Sequence, residues 1–233
     1  PATKYTIKCW TELPDGIMDC NYINDTTISV ELYPQLCGTY TIGGLNPDFT
    51  SFSEAAEFLG TAGVSCAVNF LIRDGAYNET VDLRSIPGSG PINFVTFMSE
   101  SGDSTGVILQ SPGDITLQGT RYVNFEGLHF EAINLIGSSA HIQVRSCLIS
   151  NMFRIRDVAS HITIEDNYFN GSGHGIWVDG QNSNILIDNN TIFNTSYSGT
   201  YAGIFFYSSN CQNVRIQNNR IHNMYGMHGQ AWG

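Results

Sequence analysis

The sequence predicts an all-β solenoid with a short N-terminal capping helix, and three observations carry that prediction. Five segments between Ile115 and Ile221 follow one template: an apolar-alternating run, a small or polar break, a second alternating run, then a polar corner and another apolar residue. The first runs begin at Ile115, Ile133, Phe153, Ile176 and Ile204, spaced 18, 20, 23 and 28 residues apart. Self-similarity at a period near 20 marks stacked repeats, each unable to bury its apolar face alone. Finally, 24 Gly with only 13% charged and 42% hydrophobic residues suit a turn-rich β protein better than a helical one.

The chain has 233 residues, enough for one large or two smaller domains. Ten Lys plus Arg against 21 Asp plus Glu leave a net charge of −11. That balance disfavours nucleic acids, anionic membranes and strongly anionic polysaccharides unless calcium bridges the latter. No apolar run approaches the roughly 18 residues that span a bilayer, so no membrane insertion is expected. The chain opens on Pro1 without a signal peptide and stops just after a rung at Gly233. A piece of a longer protein is expected, with targeting signals outside it.

Residues 4–34 read as two strands, Tyr5–Trp10 and Thr27–Leu32, joined by a long polar loop. Lys4, Thr6 and Lys8 alternate with Tyr5, Ile7 and Cys9, which is strand periodicity. A lone hairpin is marginal in water, so it must pack on something. The loop holds Asp15, Asp19, Asn21, Asn24 and Asp25, oxygen donors of the kind calcium prefers. Asp15, Asp19, Asn21 and Asp25 are the metal candidates, although EF-hand spacing is lacking and a solvated turn explains the same residues. No other cofactor is expected. Six cysteines occur, four of them before residue 67, with no CxxC pair. Zinc is disfavoured, and one or two disulfides in an oxidising, extracellular setting are expected, with pairing open. Cys147 reads as a small buried hydrophobe.

Thr50 or Ser51 caps a helix of about residues 51–60, with Glu54 completing a capping box and Gly60 ending it. The open apolar end of a solenoid needs such a cover. Coils then begin near residue 67. Val68, Phe70 and Ile72 alternate, Val81 and Leu83 follow, then Ile92, Phe94 or Val95, Phe97, Val107 and Leu109. Register in these early coils is open by one residue.

This order runs Phe52–Leu59, Gly63-Val64, Val68–Ile72, then Asp74-Gly75-Ala76-Tyr77-Asn78-Glu79. Over roughly residues 38–229 it resembles the first coils of pectin-lyase-like right-handed parallel β-helices, as found in large bacterial secreted and surface proteins. The resemblance implies fold but not activity, because the family includes lyases, hydrolases, esterases, tailspikes and inert stalks. Residues 1–37 resemble the last strands of an immunoglobulin-like module, leaving 38–233 as the β-helix, with rungs over about 67–229 and truncation at its C-terminus.

Stacking the rungs places Ile115, Ile133, Phe153, Ile176 and Ile204 in one inward column and Val123, Ile142, Ile162, Ile185 and Val214 in another. At the corner, Leu128, Cys147, Asn167, Asn190 and Asn219 are equivalent. Asn167, Asn190 and Asn219 are expected to form a structural ladder, tolerating left-handed geometry and bonding between rungs. Outward columns then bring Arg154, Trp177, Phe205, Arg156, Asp179 and Tyr207 to one sheet face. Aromatic faces stack on sugar rings, and arginine and aspartate bond their hydroxyls, so these six residues are the candidate glycan site. Alternatively, the loops of residues 170–175 and 194–203 cover the aromatics, and Arg156 and Asp179 form an ordinary salt bridge.

Gly173-His174-Gly175 resembles an element of polygalacturonase-type hydrolases, but the paired carboxylates of such a site are missing, so a chance match is the better reading. The histidines read as scattered, and no nucleophile–base set is expected. The expected role is a non-catalytic module acting in adhesion or spacing, with a polysaccharide or surface glycan and other domains of the same chain as partners. The alternative is a polysaccharide lyase or glycoside hydrolase with catalytic coils beyond Gly233.

Overall fold

A computed structural model describes residues 4–9, 29–110, 114–171, 174–194, 202–207 and 210–222. The repeats wind into a parallel β-helix with three faces. One face is an eight-stranded parallel sheet running from Leu36–Ile42 through Val64–Ile72, Val95–Ser99, Arg121–Glu126, Ala140–Arg145, Ser160–Glu165 and Ser183–Asp188 to Gln212–Gln217. The other two faces share strands. His129–Ile136 and Leu148–Ile155 each turn a corner without interruption, so both faces join one eleven-stranded sheet. Among the described residues, no helix is long and apolar enough to cross a membrane.

The inward columns stack in the expected register. Ile133 pairs with Ile115 and Phe153, and Ile176 with Phe153 and Ile204. On the eight-stranded face, Val123, Ile142, Ile162, Ile185 and Val214 succeed one another. The early register is resolved in favour of Val95, which pairs with both Val68 and Val123. Two residues further along these strands, Phe70, Phe97 and Phe125 form a ring stack with centroids 4.8 and 5.5 Å apart. Burying each such ring stabilises the fold by about 1.5–3 kcal/mol, with up to about 1.5 kcal/mol more from each ring pair.

The helix Phe52–Ala62 closes this stack, with Phe52 lying 6.1 Å from Phe97 at 20°. Its N-terminus is fully engaged. Ser51 Oγ accepts from Glu54 N at 3.1 Å, while the Glu54 carboxylate reaches back to Thr50 N at 2.7 Å. Glu79 accepts from Phe52 N and Ser53 N, both at 2.9 Å. The Asp-Gly-Ala-Tyr-Asn-Glu stretch thus has a physical reason: Glu79 sits at the positive end of the helix dipole, and Tyr77 Oη donates to Arg73 O at 2.7 Å. The helix passes the expected end at Gly60 and stops at Gly63, whose φ is +69°. A Cβ at Gly63 would lie 2.8 Å from Pro87 Cβ, so backbone sign and space both demand glycine there.

The solenoid starts at Leu36, because Leu36–Ile42 already pairs in parallel with Val64–Ile72. A Cys37–Cys66 disulfide ties these two strands. Cys20 lies outside the described residues. N-terminal to this, Tyr5–Ile7 and Val30–Leu32 form an antiparallel pair, shorter than the expected strands, with Tyr5, Ile7 and Leu32 exposed. The calcium candidates Asp15, Asp19, Asn21 and Asp25 lie outside the described residues, within which no group of three or more His, Cys, Asp or Glu is placed to hold a metal.

The asparagine ladder forms, with one correction to its geometry. Asn167 Oδ1 accepts from Cys147 N, Asn190 Oδ1 from Asn167 N and Asn219 Oδ1 from Asn190 N, at 3.0, 3.0 and 2.9 Å. The left-handed residues are those one position earlier: Gly127, Ser146, Asp166, Asn189 and Asn218. Left-handed backbone at the preceding residue turns the chain, and the asparagine then satisfies the N–H groups that the turn removes from the sheet ladder.

Candidate functional site

The candidate face stands on the strands Leu148–Ile155, Ile176–Asp179 and Ile204–Tyr207. Parallel pairing sets Arg154 beside Trp177, Trp177 beside Phe205, and Asp179 beside Tyr207. Period-two alternation points Phe153, Ile155, Ile176 and Val178 into the core, which obliges Arg154 and Trp177 to face outward.

Arg154 Cζ lies 4.8 Å from the Trp177 ring centroid, a cation–π contact. Trp177 meets Phe205 edge-on at 5.2 Å and Tyr207 at 5.8 Å, while Phe205 and Tyr207 stack at 6.1 Å. Five of the six expected residues are half-buried, and Tyr207 is 54% exposed. The pairing also brings Asp179 to this face, but the Arg156–Asp179 salt bridge of the alternative reading is absent. The ion pairs among the described residues are Lys4–Glu31, Arg73–Glu100, Arg84–Asp82 and Arg145–Glu126. Neither Arg154 nor Arg156 has a carboxylate partner among the described residues, and the Nε atoms of both and the indole Nε1 of Trp177 are buried without a hydrogen-bond partner. A ligand able to draw these side chains outward would relieve that cost, about 1–3 kcal/mol per buried polar group.

The sequence singles out His174 only within the Gly-His-Gly resemblance, and the structure places it against the aromatic face. The ring stacks on Phe205 at 4.7 Å and meets Trp177 edge-on at 4.8 Å, and only 9% of the residue is exposed. Its Nδ1 accepts from Ala202 N at 3.0 Å. Burial holds the imidazole below its ordinary range, so a neutral ring is favoured. Covering of the aromatics from the preceding loop is thus real at His174. Residues 172–173 and 195–201 of the two loops lie outside the described residues. Gly175 packs so closely that a Cβ would lie 2.6 Å from Ile192 Cγ2, so packing explains the glycine at that position.

Two further histidines are not scattered. Tyr122, His141 and His161 occupy equivalent left-handed corner positions and stack in a column, with successive centroids 4.4 Å apart. The signal was present in the repeat, since each residue stands one position before the start of a second run. On the eight-stranded face, Arg145 pairs with Glu126 at 2.8 Å and Gln217 Nε2 donates to Asp188 at 2.6 Å, both between neighbouring rungs.

A family model described as "Right handed beta helix region" matches residues 92–232. The chain belongs to that family. The match spans the five repeats and the last early coil, and it makes the β-helix right-handed. No curated protein matches the chain. Two solved structures are similar, both of a pectin methylesterase from Aspergillus niger. The deglycosylated form is 12% identical, with 86% of this chain and 83% of that one covered and a TM-score of 0.37. A penultimately deglycosylated form is 14% identical, with 83% of each chain covered and a TM-score of 0.31. Scores at this level do not bear on activity.

Proposed function

We propose that this β-helix is a glycan-contacting module, serving adhesion or spacing within a larger secreted or surface protein, and that the Arg154–Trp177–Phe205–Tyr207 face is its contact surface. The observation that carries this reading is the guanidinium of Arg154 over Trp177, with Phe205 in register on the next rung and Tyr207 two residues along the same strand. Neighbouring rungs about 4.8 Å apart gather Arg154, Trp177, Phe205 and Tyr207 into one outward patch, with aromatic surface and a guanidinium for a sugar to contact. With a net charge of −11, neutral or weakly acidic glycans are the favoured class. A disulfide between adjacent rungs supports an extracellular setting.

The lyase or hydrolase reading has less support on this face. Asp157, the carboxylate beside Arg156, accepts from Gly137 N at 2.7 Å and stands in a left-handed corner with φ 65°. Its role there is to hold the turn. A glycan array probed with the wild-type chain and with Trp177→Ala tests the proposal: binding lost in the variant is expected, and binding unaffected by it would overturn the reading.

A further inference from the structure

On another face of the solenoid, the strands Val107–Leu109, His129–Ile136 and Leu148–Ile155 carry a second polar constellation. Ser150 Oγ lies 2.6 Å from His129 Nε2. The two residues are 21 apart in sequence and meet only because their strands are neighbouring rungs. Pairing between these strands slips at this point. Phe130 pairs with Ile149, but Ala132 pairs with Met152, so Ser150 and Asn151 together oppose Glu131. This is a β-bulge, a device that re-aims side chains and is over-represented beside active sites. The next coil makes room for it: a Cβ at Gly171 would lie 2.9 Å from Asn151 Cα, so only glycine fits against the bulged backbone.

A groove of about 350 Å³ lies over the pair, lined by Ile108, Leu109, Gln110, His129, Glu131, Ser150 and Asn151. Gln110 and Asn151 are the carboxamide-bearing residues of this lining. Burial lowers the His129 pKa from its ordinary value, which favours the neutral ring that a general base requires.

We propose that Ser150 and His129 form a nucleophile–base pair that hydrolyses esters of short acyl groups. The Ser150 hydroxyl donates to Nε2 in the resting pair. In the reaction Oγ bonds to the acyl carbon and its proton passes to Nε2. The bond from that carbon to the alcohol oxygen breaks, and the alcohol leaves with the proton from Nε2. Water then adds to the acylated Ser150 while giving a proton to Nε2. The carboxylic acid departs, and the proton returns to Oγ. The carboxamides of Gln110 and Asn151 supply donors for the oxyanion formed in both halves. A small, open groove suits acetyl-sized groups better than long acyl chains.

The chain is treated with a fluorophosphonate probe and mapped by mass spectrometry, and hydrolysis of p-nitrophenyl acetate is followed in parallel. Ser150 is expected to carry the label. Turnover is expected to fall to the buffer rate in Ser150→Ala and by about 100-fold or more in His129→Gln. Labelling spread over several serines without preference for Ser150, or turnover unchanged in Ser150→Ala, would overturn the proposal. Label mapping uses the unaltered chain, so it decides the matter even where a variant folds poorly. Gln212→Ala, at an exposed position on the eight-stranded face, is expected to leave turnover unchanged.

Discussion

Arg154 places its guanidinium 4.8 Å over the Trp177 ring, and neither residue has any other reason to face outward than the inward demand of its strand neighbours. The contact is worth about 0.5–2 kcal/mol depending on how far it is desolvated. Trp177→Ala is expected to weaken glycan binding at least about tenfold, equivalent to 1.4 kcal/mol. The urea midpoint should fall as well, because the half-buried ring also packs on His174, Phe205 and Tyr207. Titration of an array-selected glycan alongside urea unfolding separates the two effects.

The asparagine ladder should be cooperative along the solenoid axis. Asn190 Oδ1 accepts from both the backbone and the side chain of Asn167, and its Nδ2 donates to Ile164 O at 2.9 Å. Asn190→Ala strands buried polar groups on two rungs and is expected to cost about 2–3 kcal/mol. Gln212→Ala, at an exposed strand position, is expected to stay within about 0.5 kcal/mol. Equal losses in the two variants by urea unfolding would contradict a ladder role.

Glu79 is expected to hold the capping helix in place. Its carboxylate accepts from Phe52 N and Ser53 N, so Glu79→Ala leaves two helix-end donors without their partner. A loss of about 2 kcal/mol is expected, with Glu79→Gln intermediate because one oxygen remains. Hydrogen exchange should rise first at Phe52 and Ser53, ahead of the rungs.

Stability should fall on mild acidification. Burial lowers the pKa of His129, His141 and His174 below the ordinary 6.5. The unfolded chain therefore binds protons on these rings before the folded one does. Their contribution is complete above about pH 6.5 and is lost as pH falls through the lowered folded values. Asp114 works the other way, its carboxyl raised by burial and by Glu131. Asp48 is held below 3.8 by its hydrogen bonds from Thr41, so its share is lost only in stronger acid. Urea midpoints at about pH 7.5 and about pH 5.5 should differ, the lower pH giving the lower midpoint, and the difference should shrink in His129→Gln.

The rungs were legible because burial imposes a strict period of two on every strand and the coil repeats it. Ile115 to Ile204 and Val123 to Val214 could be aligned by eye, and each pair is a register partner. The corners were less legible. Left-handed backbone can be carried by Ser146 or Asp166 as well as by glycine, so composition did not show that the turn precedes Asn167 rather than includes it. The helix end was misplaced because Gly60 and Gly63 look alike in sequence, while only Gly63 has positive φ and a neighbour within Cβ reach.

By itself, then, the sequence determined the solenoid, the inward columns, the ladder positions and the outward placement of Arg154, Trp177, Phe205 and Tyr207. All of these follow from which face of a strand water must leave. Only the tertiary structure decided that Arg156 and Asp179 do not pair, that His174 lies on Phe205, and that a bulge sets Ser150 against His129. Those are distances between side chains about 20 or more residues apart. They depend on how each rung slips or bends against the next, which the pattern of polar and apolar residues leaves open.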